Sequence, residues 1–361
     1  MTRKIYGVIT LNILIIITAF LSSCTNQTSP NTKTLLQGAT MGTQYNITLI
    51  TPATDNKKID HPVNSLNFDK IQRDINSLLK SINKDMSTYD ANSSISLFNR
   101  TNNTHWFSIS ADLFNVISTA QQISQLSNGS FDITAATLVN LWGFGPDIHY
   151  QIPTQQAIDS ALKSTGYHLL EIKQKPSAIR KLTPTLTIDL SAIAKGFAVD
   201  KIAALLDKYN INNYLVEIGG EIIAKGHNQQ NKPWKISIER PSPSLNQAQQ
   251  SSLNIDQSAL ATSGDYRNFF KKEGKRYSHT INPKTGKPVT HHLASVTVLD
   301  KTAMRADALA TALMVMGEKR AQQFVQKHAI QAFFIIREVS SKNKPEKYRT
   351  WTNISALKTK R

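Results

Sequence analysis

One junction between a predicted strand and a predicted helix constrains the fold of this chain more than any other feature. Apolar and β-branched residues predict a strand over 184–190, and an amphipathic pattern predicts a helix over 193–208. Asp189 and Lys195 lie at this junction, beside the unpaired N–H groups and partial positive charge of the helix N-terminus. Two interpretations stay open: a binding site for a phosphorylated ligand, or a helix capped by Ser191.

Hydrophobic periodicity predicts further helices and strands, which follow one another without regular βαβ alternation. The predicted helices lie at 68–86, 113–126, 154–162, 303–316 and 318–328. The predicted strands lie at 44–50, 167–172, 213–218, 234–239, 258–262, 276–281 and 294–299. The Pro-, Ser- and Gln-rich residues 240–257 predict a surface excursion between strands. This order favours an α+β, mixed layered fold over a doubly wound sheet.

The first residues have the character of an export signal. Arg3 and Lys4 precede an apolar run that is too short to span a bilayer and that ends at a lone cysteine, Cys24. Small residues before that cysteine match a bacterial lipoprotein cleavage box, so we expect residues 1–23 to be a signal peptide and Cys24 to be lipidated. The alternative is an ordinary secretory peptide with a chance cysteine.

The remaining chain divides by composition into three parts. Residues 24–37, rich in Asn, Thr, Ser and Gln, predict a flexible tether, and residues 358–361 predict a basic tail. Residues 38–357 are long enough for one large domain or two subdomains. A lipidated, exported chain would lie in the bacterial cell envelope, on the periplasmic side, anchored to the inner or the outer membrane.

Composition excludes several classes of protein. With one cysteine in 361 residues, the chain can form no internal disulfide and no multi-thiolate metal site. The formal net charge of +17 invites a nucleic-acid interpretation, but the lysines are scattered and no zinc-finger spacing or aromatic-basic signature accompanies them. Export also removes the genome as a partner. The charge therefore favours anionic small molecules and membrane surfaces.

A candidate metal site lies on the predicted helix over 303–316. Asp307 and Thr311 are four residues apart, so they share one helix face. A carboxylate and a hydroxyl are hard oxygen ligands of the kind that Mg²⁺ takes. The neighbours of Asp307 are almost all apolar, and an unpaired carboxylate among them is costly. The alternative is a solvent-facing or back-bonded pair.

His279, which precedes Asp307 in the sequence, is a candidate proton-transfer group. His279 precedes the turn sequence Asn-Pro-Lys-Thr-Gly and lies near a predicted strand end, from which it can reach into a cleft. It suits a general base or a phosphate contact. The alternative is a hydrogen-bonded structural histidine. Asp265 in the neighbouring cluster is a second candidate base.

These motifs, in this order, resemble the ApbE family of Mg²⁺-dependent flavin transferases, which attach FMN covalently to proteins. The resemblance covers nearly all of the chain after the signal peptide and implies mainly antiparallel sheets flanked by helices. The matching runs are Met41–Tyr45, Met86–Tyr89 with Ile95 and Phe98–Asn99, Phe131–Thr134, Leu138–Gly145, Asp189–Asp200, Glu217–Glu221, Ala261–Arg267, His279–Gly286 and Asp307–Thr311.

The resemblance also implies the roles of individual residues. It implies Mg²⁺ bound by Asp307, Thr311 and the backbone carbonyl of Ala192, with His279 as acid and base. The chain departs from the common family pattern at Asn282, where aspartate is more frequent, and at Phe197, where tyrosine is. The implied FAD contacts are Met41, Tyr89, Phe131, Asp132, Ile133, Asp189, Lys195 and Ile281.

The activity implied by the resemblance is transfer of FMN from FAD to a threonine or serine hydroxyl of a target flavoprotein, with release of AMP. The implied targets are subunits of redox complexes such as sodium-pumping quinone reductase. Two alternatives stay open: hydrolysis of FAD to FMN and AMP, and a non-catalytic flavin-binding lipoprotein.

Overall fold

The computed structural model describes residues 31–52, 66–146, 148–239, 241, 249–265, 268–338, 347–355 and 357–359. The predicted signal peptide, Cys24 and the tether as far as residue 30 lie outside these ranges, as do residues 360 and 361 of the predicted tail. No helix within the ranges combines the length and apolar character that crossing a membrane requires.

The six predicted helices are confirmed to within two residues at each end, and the described residues contain two further short helices that were not predicted, Ser94–Arg100 and Ala136–Leu141. They are α1 (Phe68–Met86), α2 (Ser94–Arg100), α3 (Ala111–Leu126), α4 (Ala136–Leu141), α5 (Gln155–Leu162), α6 (Ala194–Lys208), α7 (Ala303–Met316) and α8 (Glu318–Lys327). Short 3₁₀ turns lie at Ile133–Ala135 and Tyr167–Leu169.

The strands are more numerous than the sequence predicts. They are β1 (Thr32–Thr40), β2 (Thr43–Thr51), β3 (Phe107–Ser108), β4 (Leu170–Lys173), β5 (Ala178–Lys181), β6 (Tyr214–Ile218), β7 (Glu221–Lys225), β8 (Trp234–Glu239) and β9 (Gln249–Ile255). The chain continues with β10 (Ser258–Gly264), β11 (Phe269–Lys272), β12 (Lys275–Ser278), β13 (Ile281–Asn282), β14 (Lys287–Pro288), β15 (Leu293–Asp300), β16 (Gln331–Arg337), β17 (Tyr348–Thr352) and β18 (Lys358–Thr359).

An eight-stranded sheet in the order β1-β2-β6-β7-β10-β15-β16-β17 organises the molecule. Every neighbouring pair in it is antiparallel. Two three-stranded sheets, β18-β9-β8 and β3-β5-β4, and the hairpins β11–β12 and β13–β14 complete the strands. The predicted α+β fold with mainly antiparallel sheets is therefore confirmed.

The large sheet separates two apolar layers. Successive side chains of a strand point to opposite faces, and β16 shows this directly: Phe334 and Ile336 join the core that contains the helices. Phe333 and Ile335 join a second core, which includes Trp234 and other residues of β8 and β9. Helices thus cover one face of the sheet, and the β18-β9-β8 sheet covers the other.

One predicted strand is not found among the described strands, because a side chain from a distant part of the sequence takes the place of a neighbouring strand. Residues 184–190 are buried at Leu186, Ile188 and Leu190 but form no ladder. The Asn99 side chain replaces a neighbouring strand: its Nδ2 donates to the Ile188 carbonyl at 2.9 Å, and its Oδ1 accepts from the Ile188 N–H at 2.8 Å. The segment is therefore extended but belongs to none of the sheets that the described residues form.

Three predictions about irregular segments are wrong in part. The tether predicted over 24–37 is a strand from Thr32 onward, because β1 pairs with β2 in unbroken register up to Thr40. The excursion predicted over 240–257 contains β9, which pairs with β8. In the predicted tail over 358–361, residues 358 and 359 form β18 and pair with β9. Polar strand residues masked all three pairings in the sequence.

Candidate functional site

A single cleft of about 1090 Å³ brings together most of the predicted site residues. Its walls come from β2, the turn between β6 and β7, β8, β10, the start of α6 and one face of α7. The predicted residues that line it are Tyr89, Phe131, Asp132, Ile133, Asp189, Ala192, Lys195, His279, Ile281, Asp307 and Thr311.

The crossing of α6 and α7 places the Asp307 carboxylate in this cleft. A Cβ added to Gly196 would lie 2.3 Å from the Ala303 carbonyl oxygen, so only glycine lets the two helices approach this closely. The Gly196 N–H, in the first turn of α6, donates to Asp307 Oδ2 at 3.1 Å. The buried carboxylate thus lies at the positive end of α6.

This contact answers the capping question. The N-cap residue of α6 is Ile193, which makes no side-chain capping hydrogen bond, and the Gly196 N–H donates to Asp307, so the interpretation of Ser191 as a capping residue is wrong. The Ser191 N–H instead donates to Asp189 Oδ1 at 2.7 Å, and the Asp189 N–H donates to the Ile133 carbonyl at 2.8 Å. Asp189 therefore shapes the turn into α6 and ties it to the segment that carries Phe131 and Ile133.

A cluster of one lysine and two acids lies beside the helix start. Lys195 Nζ donates to Glu221 Oε1 at 3.0 Å and lies 4.0 Å from Asp307 Oδ2. Burial raises the pKa of Asp307 and of Glu221, and the attraction of Lys195 opposes both shifts. Burial alone would lower the pKa of Lys195, but the two carboxylates outweigh it and raise that pKa.

The oxygen atoms of this cluster are suitable ligands for a divalent cation. Two buried carboxylates face one lysine, and Glu221 Oε2 accepts no hydrogen bond from any described residue. On α7, the Thr311 hydroxyl lies 3.0 Å from the Ser263 hydroxyl of β10. Among the described residues no group of three or more His, Cys, Asp or Glu side chains could bind a metal. A cation here would therefore complete its shell with backbone, water or ligand oxygens, as Mg²⁺ commonly does.

His279 lies at another side of the same cleft. Its backbone N–H and its Nδ1 both lie within hydrogen-bond distance of the Asn268 carbonyl, at 3.2 and 2.9 Å. Because a carbonyl only accepts, Nδ1 carries the proton, and Nε2 of the neutral ring keeps its lone pair. Burial in the cleft lowers the pKa of His279, although the Asn268 carbonyl and Asp265 oppose this shift. The imidazole is therefore neutral at neutral pH and able to accept a proton.

Three predicted site residues have other environments. The carboxylate of Asp132 lines the cleft, but Thr134 donates to one of its oxygens and the Tyr167 N–H to the other, at 2.7 Å. Met41 lies outside the cleft lining and packs against the main core. Asp265 also lies outside the lining and forms a two-pronged ion pair with Arg337, so its interpretation as an alternative base is wrong.

Besides Glu221, sequence reasoning missed two further supporting acids. Glu217 accepts from the Gly220 N–H at 2.7 Å and from Asn46 Nδ2 at 2.8 Å, which holds the glycine turn open beside the cleft. Asp200 accepts from the N–H groups of Ala303 and Met304, at 2.7 and 2.9 Å, at the start of α7. Burial raises the pKa of Asp200 to about 6. Both acids lie in runs that carry the family resemblance, Glu217 beside the glycine pair and Asp200 at the end of Asp189–Asp200, but no local spacing gave either residue a role.

The cleft of this α+β fold contains a buried acid, a lysine and a desolvated histidine. Such a combination of side chains is typical of an enzyme active site. A profile of the ApbE family matches residues 41–334. The FAD:protein FMN transferase of Vibrio cholerae is 41% identical over 303 residues, which cover 84% of this chain and 87% of that protein. The chain belongs to the ApbE family.

Two further comparisons agree. The FAD:protein FMN transferase of Haemophilus influenzae is 42% identical over 225 residues, which cover 62% of this chain and 65% of that protein, just under two thirds. A solved structure described as the flavin transferase ApbE from Vibrio cholerae has a TM-score of 0.78 at 38% identity and covers 90% of this chain and 98% of that chain.

Proposed function

We propose that this protein transfers the FMN moiety of FAD to a threonine or serine hydroxyl of a protein acceptor and releases AMP. The observation that carries the proposal is the meeting of two chemistries in one cleft. The start of α6, with Lys195 and Asp307, suits a pyrophosphate, and His279 lies on the same cleft as a neutral base. The names of the matched relatives, FAD:protein FMN transferase, agree with this activity.

FAD would lie along the cleft. Its phosphates would meet the ammonium group of Lys195 and the partial positive charge at the start of α6, where the N–H groups of Ala194 and Gly196 already donate to Leu190 and Asp307. Phe131 and Ile133 line the apolar part of the wall, where they can contact a planar ring. Tyr89 is 71% exposed although it lines the cleft, so its ring is available to cover a bound ligand.

Mg²⁺ would be held by Asp307, Thr311 and the backbone carbonyl of Ala192. When bound, the ion supplies charge neutralisation on the pyrophosphate and on the departing phosphate. The protein residues position this site: Gly196 orients the Asp307 carboxylate, and Ser263 orients the Thr311 hydroxyl. Lys195 adds a positive charge, because Glu221 and Asp307 raise the pKa of its amino group and keep that group protonated.

The proposed transfer changes no oxidation state, so it requires no oxidant or reductant. The acceptor oxygen attacks the phosphorus atom of the FMN half, and a new P–O bond forms. The bond from that phosphorus to the bridging oxygen breaks, and AMP leaves with the bridging oxygen. His279 accepts the hydroxyl proton, which gives a phosphodiester between FMN and the acceptor.

Hydrolysis of FAD to FMN and AMP is the second candidate function, because water can replace the hydroxyl at the same phosphorus. A non-catalytic flavin-binding lipoprotein is less well supported, since mere storage of FAD requires no neutral base on the cleft. We further propose that a lipid on Cys24 holds the protein at the periplasmic side of the cell envelope. Its acceptors there would be subunits of redox complexes such as sodium-pumping quinone reductase.

The test is incubation with FAD, Mg²⁺ and the purified acceptor subunit of a sodium-pumping quinone reductase, followed by a denaturing gel. Flavin fluorescence that stays with the acceptor band, together with one AMP released per flavin bound, supports transfer. Free FMN with an unlabelled acceptor supports hydrolysis instead. Unchanged FAD would contradict both activities. Omission of Mg²⁺ with added chelator tests the metal separately.

A further inference from the structure

A series of aromatic rings connects His279 with the outer surface of the protein. Phe144 lies edge-on to His279, with ring centroids 6.4 Å apart, and 5.4 Å from Tyr150. Tyr150 stacks on Phe270 at 5.1 Å, and Phe270 stacks on Tyr277 at 4.9 Å. Because Phe144 and His279 line the cleft, these rings continue the cleft wall outward.

The outer end of this series is an exposed apolar loop. Within residues 148–152, Ile148 is 67% exposed, Tyr150 is 46% exposed and Ile152 is 38% exposed. Single exposed apolar residues are ordinary, but three within five residues, next to a stacked aromatic group, form a patch. Such a patch beside an active-site cleft is typical of a surface that contacts another macromolecule.

A basic edge borders the same patch. The hairpin of β11 and β12 carries Phe270 and Tyr277 on directly opposed positions, and its turn region carries Lys271, Lys272 and Lys275. All three lysines are exposed, and Glu273 is the acid among them. Cations on this edge favour a partner of negative charge.

We propose that the loop over 148–152 and the hairpin over 269–278 form the acceptor-docking face, which binds an acidic, partly apolar segment of the acceptor protein. This inference rests on the proposed function. With FAD in the interior of the cleft, the acceptor hydroxyl must reach the pyrophosphate near His279. The docking face is continuous with His279 through Phe144 and Tyr150. A segment that lies on the rings, with its acids toward the lysines, would direct its hydroxyl into the cleft.

The primary test measures binding of the acceptor in the absence of FAD. The probe is the apo acceptor subunit of a sodium-pumping quinone reductase, and the readout is its Kd for the full-length enzyme by biolayer interferometry. Two variants remove the two halves of the face: Lys271→Glu with Lys272→Glu and Lys275→Glu, and Ile148→Ser with Ile152→Ser. We expect each to raise the acceptor Kd about tenfold while the Kd for FAD stays unchanged.

Matched controls carry the same changes elsewhere. Lys319→Glu with Arg320→Glu and Lys327→Glu reverses three exposed charges on α8, and Leu35→Ser with Leu182→Ser removes two exposed apolar side chains. We expect the controls to bind the acceptor within twofold of the unmodified enzyme. An increase from 50 to 300 mM salt should weaken binding by the unmodified enzyme more than by the lysine variant.

The outcomes separate this inference from the proposed function. If the face variants bind the acceptor as tightly as the controls, the docking face is wrong, even where the enzyme labels the acceptor. If the face variants lose binding but the unmodified enzyme transfers no FMN, the docking face stands and the transfer activity is wrong. A basic, apolar face could also contact a membrane. Loss of binding to phosphatidylglycerol vesicles, in variants that also carry Cys24→Ser and keep their acceptor affinity, would overturn the inference in favour of lipid.

Discussion

The two ends of the cleft are built differently. At the crossing of α6 and α7, Asp307 is buried at the wall of the cleft and the Gly196 N–H orients its carboxylate. At the other end, His279 follows β12, whose Tyr277 packs with Phe270 and Trp142 in a small cluster apart from the main core. The first end belongs to the main core, and its fixed geometry suits a small ligand that is the same in every reaction, here the pyrophosphate of FAD. The second is a smaller, more exposed unit that suits a macromolecular partner.

The first prediction tests the buried end. Asp307→Asn keeps the shape of the side chain and an oxygen for the Gly196 N–H, but removes the negative charge. We expect FMN transfer and FAD hydrolysis both to fall by about 10³-fold or more, because the proposed cation loses its charged ligand. The measurement is the initial rate of AMP release across a Mg²⁺ titration.

Thermal unfolding serves as the control for that variant. Burial raises the pKa of Asp307, so the ionised form costs the folded state free energy at neutral pH. Its replacement by a neutral amide removes this cost together with the attraction to Lys195, which keeps Glu221 as a partner, so we expect the Tm of the metal-free protein to change by only about a few degrees. Full activity in Asp307→Asn would contradict the metal assignment, and a larger fall in Tm would attribute the loss to folding.

The second prediction tests the exposed end. His279→Ala should lower the transfer rate by about 10²–10³-fold through loss of the base. Since burial lowers the pKa of His279, the unmodified enzyme should lose activity only as the pH falls below the usual histidine value of about 6.5. That acid limb should be absent from the residual activity of His279→Ala. An acid limb that persists in the variant would assign the base to another group.

The sequence predicted those features of the two ends that depend on residues close together in the chain, and it did not predict those that depend on residues far apart. The burial of Asp307 was predictable, because the neighbours along its own helix are almost all apolar. Its bond to Gly196 was not, because the two residues are 111 positions apart and no spacing rule connects them. The missing strand at 184–190 has the same origin, since Asn99, far along the chain, satisfies the Ile188 backbone. Local patterns thus predicted the elements, while distant side chains decided how they join.

The third prediction compares one glycine from each end. Gly196→Ala would place a Cβ 2.3 Å from a backbone oxygen of α7, so we expect the free energy of unfolding to fall by about 1–3 kcal/mol. Gly274, in the turn between β11 and β12, has no heavy atom within 4 Å of an added Cβ, and its positive φ is the only obstacle. Gly274→Ala should therefore cost about 1 kcal/mol, from the left-handed conformation alone.

Urea unfolding of both glycine variants measures this difference. Gly196→Ala should also weaken FAD binding, because the displaced helix start carries Lys195, whose ammonium group is proposed to meet the phosphates. Gly274→Ala should leave FAD binding unchanged. Equal losses of stability in the two variants would show that the helix crossing relaxes more easily than its geometry indicates.

The last prediction concerns Glu221, which pairs with Lys195 but was no part of the predicted site. Glu221→Gln keeps the size of the side chain and removes one of the two charges that face the lysine. If Glu221 only orients Lys195, the FAD affinity should fall about tenfold, or about 1.4 kcal/mol, with little change in the rate at saturating FAD. A loss confined to the rate, with the affinity intact, would show that the free Oε2 atom acts on the reacting groups themselves. That result would add Glu221, the first residue of β7, to the catalytic residues that α6 and α7 contribute at the buried end.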